Sequence, residues 1–274
     1  YRQILTYLKR SGSDQTVALN SDVLVNIDLN QVFHLHNTTG QKITVVYKKL
    51  PKELISDVNS ILEIDESDKV LGHELFQGGD KEVYNMSTDI FVVDTPFLIE
   101  KLEEEAAKEE PRKLRYVLRD LAVAENAFAY EYTGYLSNIH SVKAYFDANL
   151  DMLESEKFYK LFAPNQKVYT KVKNEEPTYY ATSSDVKVSQ FASGSIVRGK
   201  VNHSVVSRNV DVAEGSSVSH SVLFPRVKVG KGATVEYAIV DKGVEIAEGV
   251  TIRGTENNPV VIKKGSVVTE DIVR

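Results

Sequence analysis

The residues able to do chemistry in this chain are few and scattered. Asp22 follows a short apolar strand pattern, Val17-Ala18-Leu19. An aspartate at the end of a strand serves either as a metal ligand or as a plain strand terminator. His34 and His36 are two apart on a helical pattern and so point to different sides. His203 and His220 are 17 apart in a repetitive region, which predicts that they stack on adjacent turns. The 6 histidines show no metal-ligand spacing, and the absence of cysteine excludes disulfides and thiolate metal sites. Gly78-Gly79 follows a strand pattern and precedes no helix, so it is no phosphate cradle. The loop Gly134-Tyr135-Leu136-Ser137-Asn138-Ile139 leads into a helix yet carries no charge.

Bulk composition narrows the function classes. A chain of 274 residues suits two domains of ordinary size, and 42% hydrophobic content supports a sizeable core. A net charge of −6 with interspersed signs argues against a nucleic-acid binder. The acidic run Glu103-Glu104-Glu105 reads as the solvated face of a helix. No apolar run approaches the roughly 20 residues that span a bilayer, and no signal peptide opens the sequence. The expectation is a cytoplasmic protein without a membrane partner.

The elements that must position these residues fall into two groups. Up to about Leu153, strand and helix patterns alternate, beginning with a helix at Arg2 to Arg10 that ends before Gly12. Leu29 to Thr39 is a helix capped by Asp28 and closed by Gly40. Ile43 to Tyr47 is a strand, Ser60 to Ile64 and Val70 to Phe76 a hairpin, and Asp89 to Val93 another strand. Thr95-Pro96 opens a helix, with proline in the first turn, where its missing N–H costs nothing. Val142, Tyr145, Phe146, Leu150 and Leu153 make a helical face behind an N-cap at Ser141. This alternation predicts an α/β domain with a mostly parallel sheet.

From Asp185 onward the helical patterns vanish and a repeat of 17 residues appears. Val212, Val229 and Ile246 recur at that step, as do Val218, Val235 and Ile252, and Gly215, Gly232 and Gly249. Val205, Val222 and Ile239, and Val210, Val227 and Val244, keep it too. Val260, Ile262, Gly265 and Val268 extend the pattern at steps of 16. Aliphatics about six apart within each period predict a parallel β-helix of about five coils, in which each coil buries its apolar column on the next. On this spacing Ile262 shares one inward column with Val212, Val229 and Ile246. Asp211, Lys228 and Glu245, and Glu214, Lys231 and Glu248 followed by Lys264, read as exposed ladders of alternating sign. Glu270 to Arg274 is the candidate cap of the last coil.

An α/β domain followed by a short hexapeptide β-helix is the layout of sugar-nucleotide pyrophosphorylases. Leu19-Asn20-Ser21-Asp22, the segment from Gly134 to Asp151, Ser221-Val222-Leu223-Phe224, Val240 to Val244 and Ile246 to Gly249 resemble ADP-glucose pyrophosphorylase, the glucose-1-phosphate adenylyltransferase family. The resemblance implies residues 1–153 as the later part of a nucleotidyltransferase-like, Rossmann-like domain, 154–184 as a linker, and 185–274 as a left-handed parallel β-helix. It also implies that the glycine-rich ATP loop belongs upstream of Tyr1, so the chain is expected to be N-terminally truncated.

The family reaction uses Mg²⁺ held by two aspartates, a lysine for the sugar phosphate, and basic residues that offset transition-state charge. The resemblance places the first metal aspartate at Asp22. In the second site loop it places Ser137 where the family has arginine and Asn138 where it has the other aspartate. No Glu-Lys-Pro follows the strand Val70 to Phe76. Lys81 is the candidate replacement, against its reading as a solvated loop lysine. Asp89 stands at a family glycine. A neutral amide is a poor substitute for a carboxylate on a hard cation, so no catalytic set is intact and the chain is expected to be inactive with no bound cofactor.

These departures resemble the regulatory, GlgD-type subunit of the family. The resemblance implies a catalytic pyrophosphorylase subunit as partner in a hetero- or homo-oligomer of glycogen biosynthesis, with a sugar-phosphate effector. The alternatives are an active ADP-glucose pyrophosphorylase, a hexapeptide acyltransferase using His203 or His220, and an inert scaffold.

Overall fold

The structure, a computed structural model, describes residues 1–162 and 166–274. It divides into two compact units, Tyr1–Asn138 and Ile139–Arg274. This division falls after Asn138 and not after Leu153, because the helix behind Ser141 packs on the β-helix. The stretch read as a linker holds a helix, Ser155–Leu161, and the first β-helix strand, Tyr179–Tyr180. Its residues Ala163, Pro164 and Asn165 lie outside the described residues.

In the first unit, helix α1 (Arg2–Ser11) is followed by strands β1 (Gln15–Ala18) and β2 (Val23–Val25), helix α2 (Leu29–Thr39) and strand β3 (Ile43–Pro51). The hairpin β4 (Ser60–Ile64) and β5 (Val70–Leu75) leads to β6 (Val83–Asp94) and helices α3 (Thr95–Ala106) and α4 (Leu114–Ala124). Strands β7 (Phe128–Glu131) and β8 (Leu136–Asn138) complete it. The caps read from sequence are formed. Asp28 Oδ1 accepts from Asn30 N at 3.0 Å, and Gly12 and Gly40 take left-handed backbone.

The main sheet runs β5-β4-β6-β3-β7, with β1 on β6. It is mixed and not mostly parallel, since among the described residues only β3 and β7 pair in parallel. The α/β alternation is real, but short links such as β4–β5 return antiparallel, and periodicity alone carries no strand direction. The central strands are apolar on both faces. Ile43, Val45, Tyr47, Phe91 and Val93 face the cluster with Leu98, Leu102 and Leu118, whereas Val46, Ile90 and Val92 face Val32 and Met86. Helices therefore cover both sides, as expected for continuous apolar strands.

In the second unit, α5 (Val142–Leu150) is capped by Ser141 Oγ, which accepts from Ala144 N at 3.0 Å. α6 (Ser155–Leu161) follows. The β-helix then forms three parallel faces of six, five and six strands among the described residues, from Tyr179 to Val273. Val212, Val229 and Ile246 stack in register, as do Val218, Val235 and Ile252. They are at most 3% exposed. Left-handed corners recur with the coil at Gly215, Gly232 and Gly249, and also at His203, His220 and Tyr237. Buried Ser204 and Ser221 add an internal ladder, each Oγ accepting at 3.1 Å from the backbone N–H of the residue 17 further on.

The last coil departs from the sequence expectation. Ile262 pairs with Val240 on a neighbouring face, and Val268 pairs with Ile246 and completes the Val212 column. The loop Gly254 to Pro259, closed by a bridge between Thr255 and Asn258, lengthens that coil, so counting back by 16 selects the wrong face. Ile272 and Val273 continue the stack on Ile252 and Arg253. Phe146 of α5 packs on Val222 and Ile239.

Candidate functional site

The two strands that carry the site positions are short and pair with each other. β2 and β8 run antiparallel, with Val23 opposite Asn138 and Leu24 opposite Ser137. Asp22, one residue before Val23, therefore lies at the same end of this ribbon as Asn138. Gly134 starts the loop where nothing larger fits, because a Cβ there would sit 2.3 Å from Tyr132 Oη. Lys48 Nζ donates to Gly134 O at 2.8 Å and ties the loop to β3.

Asn138 is 6% exposed and its side chain is fully engaged. Nδ2 donates to Leu54 O at 2.9 Å and to Asn59 Oδ1 at 2.8 Å. The orientation of both amides follows from Ser56. Its backbone N–H and Oγ each donate to Asn59 Oδ1 at 2.9 Å, so that atom must be the oxygen and Asn138 must turn a donor toward it. The amide thus clamps β8 onto the turn before β4.

Asp22 is held from the other side. Its Oδ2 accepts from Arg115 Nη2 at 2.9 Å, and its Oδ1 is buried with no hydrogen-bond partner. Arg115 Nε also lies 3.3 Å from Asp89 Oδ2. Asp89 is gripped by Arg119 through Nε at 2.8 Å and Nη2 at 2.7 Å. Both members of that second pair are almost wholly buried. Asp89 reaches α4 because β6 bulges there. Val46 pairs with Ile90 and Tyr47 with Ser87, which leaves Thr88 and Asp89 outside the register with β3. Asp89 adopts φ 54°, a conformation natural for glycine and tolerated by aspartate.

Arg115 and Arg119, unremarked in the sequence reading, complete a neutral cluster of two carboxylates and two guanidiniums. Their signal was present. They are four apart on α4, and Arg119 falls among the buried Val117, Leu118 and Ala122. A cation inside an apolar stripe needs a buried anion.

The other candidates have different surroundings. Lys81 is exposed, and its backbone N–H donates to Tyr84 Oη at 3.2 Å. His36, 1% exposed, sits between Thr44 Oγ1 at 2.9 Å and Asp94 Oδ1 at 3.2 Å, whereas His34 is exposed. His203 stacks on His220 at 4.9 Å and His220 on Tyr237 at 4.8 Å between ring centroids. Burial, and next the neighbouring His203, push the His220 pKa down against the pull of Glu236 and Glu256. The arrangement His73 Nδ1 to Ser60 Oγ, 3.3 Å, and Nε2 to Asp120 Oδ1, 3.0 Å, has the residue types of a hydrolytic triad. Ser60 is completely buried, so no substrate reaches it.

The acidic run is only partly a solvated face. Glu103 and Glu104 are exposed, but Glu105 is 3% exposed and gathers the loop between α3 and α4. A hydrogen bond from Lys108, then the backbone N–H and guanidinium of Arg112, hold its pKa at about 2. In the β-helix, Lys228 pairs with Glu245 at 2.7 Å as the ladder implies, and Arg253 pairs with Glu236 at 2.8 Å. Asp211 pairs with Arg198.

Comparison with known proteins fits this architecture. Residues 171–273 match the family model described as GlmU-like, C-terminal hexapeptide. Over 266 residues the chain is 30% identical to the Glycogen biosynthesis protein GlgD of Bacillus subtilis, covering 97% of this chain and 67% of that protein. The chain belongs to the glucose-1-phosphate adenylyltransferase family. Two members named for that activity, from Thermosipho africanus and Bacillus mycoides, are 25% and 28% identical over 80% and 79% of this chain. The chain spans 53% and 58% of their lengths.

The glucose-1-phosphate adenylyltransferase frame gives the cluster its meaning. The two positions that the resemblance assigns to Mg²⁺ ligands lie at the same end of the β2–β8 ribbon, but their chemistry does not fit that ion. Mg²⁺ demands oxygen ligands in near-octahedral geometry, whereas Asn138 turns its donors inward to Leu54 and Asn59, and Asp22 is taken by Arg115. Ser137, opposite Leu24, brings no cation. Among the described residues, no group of three or more His, Cys, Asp or Glu is placed to hold a metal. Nor is any described helix long and apolar enough to cross a membrane.

Proposed function

We propose that this protein is a regulatory, catalytically silent subunit of glucose-1-phosphate adenylyltransferase in glycogen biosynthesis, and that it modulates a catalytic partner subunit. One observation carries the reading. Asn138, at a metal-ligand position of the family, is built into the fold as a hydrogen-bond donor to Leu54 and Asn59. Loss of a metal carboxylate removes several kcal/mol of charge stabilisation, a slowing of roughly a thousandfold or more.

The family frame is otherwise maintained with care. Gly134, Lys48, the β2–β8 pairing and the Ser141 cap preserve the loop, and the β-helix is regular through its central coils. A shape kept without its chemistry serves contacts with other chains, and the similarity to the Bacillus subtilis GlgD protein supports a place in glycogen biosynthesis. The partner in this reading is a catalytic ADP-glucose pyrophosphorylase subunit, and a sugar phosphate is the effector class.

The test starts with the full-length protein alone, given ATP, glucose-1-phosphate and Mg²⁺. Background turnover is the expected outcome, with altered substrate affinity or maximal rate when a catalytic subunit is added. Turnover by the protein alone at rates typical of enzymes, about 1–1,000 per second, would overturn the reading.

A further inference from the structure

The Asp22 end of the site is occupied as well as stripped. We propose that Arg115 is a tethered cation seated between Asp22 and Asp89 where a divalent ion would otherwise bind, so that this protein excludes Mg²⁺ from its site. The inference deepens the proposed function and rests on it only in taking Asp22 as the family's metal position.

Arg115 lies across both carboxylates, with Nη2 2.9 Å from Asp22 Oδ2 and Nε 3.3 Å from Asp89 Oδ2. A guanidinium is permanently charged and presents a planar fork that matches carboxylates, so it holds the position at every physiological pH. It is delivered by α4, and the neighbouring turn of the same helix anchors Asp89 through two bonds from Arg119. The bulge at Thr88 and Asp89 places the second carboxylate there. A free ion must displace a group already present at high effective concentration, and Mg²⁺ must also shed water, which it does reluctantly.

Asp22 Oδ1 adds an independent observation. It is buried without a hydrogen-bond partner, an expensive state for a carboxylate oxygen. Asp22 therefore keeps unused acceptor capacity, and with Arg115 removed it regains both oxygens. Without the Arg115 guanidinium the cluster carries one net negative charge, centred on Asp22, because Arg119 still holds Asp89.

Mn²⁺ is the probe, followed by paramagnetic relaxation and by calorimetry on the full-length protein. The wild type, Arg115→Ala, Arg115→Lys and the double variant Arg115→Ala with Asp22→Asn are compared. Arg115→Ala should bind Mn²⁺ at least about tenfold more tightly than the wild type. The gain should vanish in the double variant and be absent in Arg115→Lys, which keeps a cation. Equal affinity in wild type and Arg115→Ala, or a gain that survives Asp22→Asn, would overturn the proposal. If Arg115→Ala does not fold, Arg115→Gln, which keeps length and donors without charge, carries the same expectations. Mn²⁺ bound by the wild type through Asp22 would sink this inference and leave the partner-subunit assay untouched. Separate elution of the two subunits with unchanged kinetics would do the reverse.

Discussion

Asn138 and Asn59 face each other as a reciprocal amide pair, with Asn138 Nδ2 2.8 Å from Asn59 Oδ1 and Asn59 Nδ2 3.5 Å from Asn138 Oδ1. An aspartate at 138 would set an anion against two acceptors, Asn59 Oδ1 and Leu54 O. Asn138→Asp should therefore destabilise the protein by about 1–3 kcal/mol. Urea unfolding measures this, and Asn138→Asp combined with Ser137→Arg should gain no ADP-glucose synthesis. An unchanged midpoint would mean that the amide pair is not the clamp described.

Asp89 supplies a second test, because its backbone and its side chain make opposite demands. Its φ of 54° suits glycine, so Asp89→Gly relieves the backbone but strands the buried Arg119 guanidinium. Breaking such a pair from one side costs roughly 3–5 kcal/mol, which outweighs the relief. Asp89→Gly should lower the denaturation midpoint sharply, and Asp89→Gly with Arg119→Leu should recover most of the loss. Equal destabilisation of single and double variants would contradict the pairing.

Glu105 makes stability depend on acid. Its carboxyl has a pKa of about 2 in the folded protein against an ordinary 4.5. The unfolded chain therefore takes up the proton first as pH falls. Stability from this group is complete above about pH 4.5 and is lost as pH drops from there toward 2. Glu105→Gln should flatten that part of the unfolding profile and weaken the protein at neutral pH, as thermal melts across pH would show.

The His203–His220 stack acts in a higher window. Burial and the adjacent ring depress the His220 pKa below 6.5. Its contribution is present above pH 6.5 and is lost as pH falls through the lower, folded-state value. Glu236, already paired with Arg253, and Glu256 temper the effect. His220→Phe keeps the stacking without the charge and should remove this part of the pH dependence. A profile unchanged by that substitution would show that His220 makes no such contribution.

What could be read from sequence followed from how each feature is encoded. The β-helix was legible because stacking repeats an apolar residue every 17 positions, and the central columns stand in register as read. It failed at Ile262, where an inserted loop changes coil length without changing residue type. The helix caps at Asp28 and Ser141 were legible because capping is local chemistry. Sheet direction was not, since β6 and β3 are apolar whichever way their partners run. At the site, the change at Asn138 was visible in one residue. Its cause in the fold was hidden, because Asn59, Arg115 and Arg119 come from distant segments. Asp89 was noted only as a replaced glycine, and nothing local in the sequence announces a bulge that sends its carboxylate to α4.

The central claim concerns what the protein does to a partner, and its most direct measurement uses the two purified full-length subunits. They are mixed at micromolar concentration and passed over gel filtration, and the kinetics of ADP-glucose synthesis are compared with those of the catalytic subunit alone. Co-elution, with a shift in apparent substrate affinity or maximal rate of about 5- to 150-fold, is the expected result for coupling of ordinary size. Separate elution with unchanged kinetics would contradict the account and leave an inert scaffold.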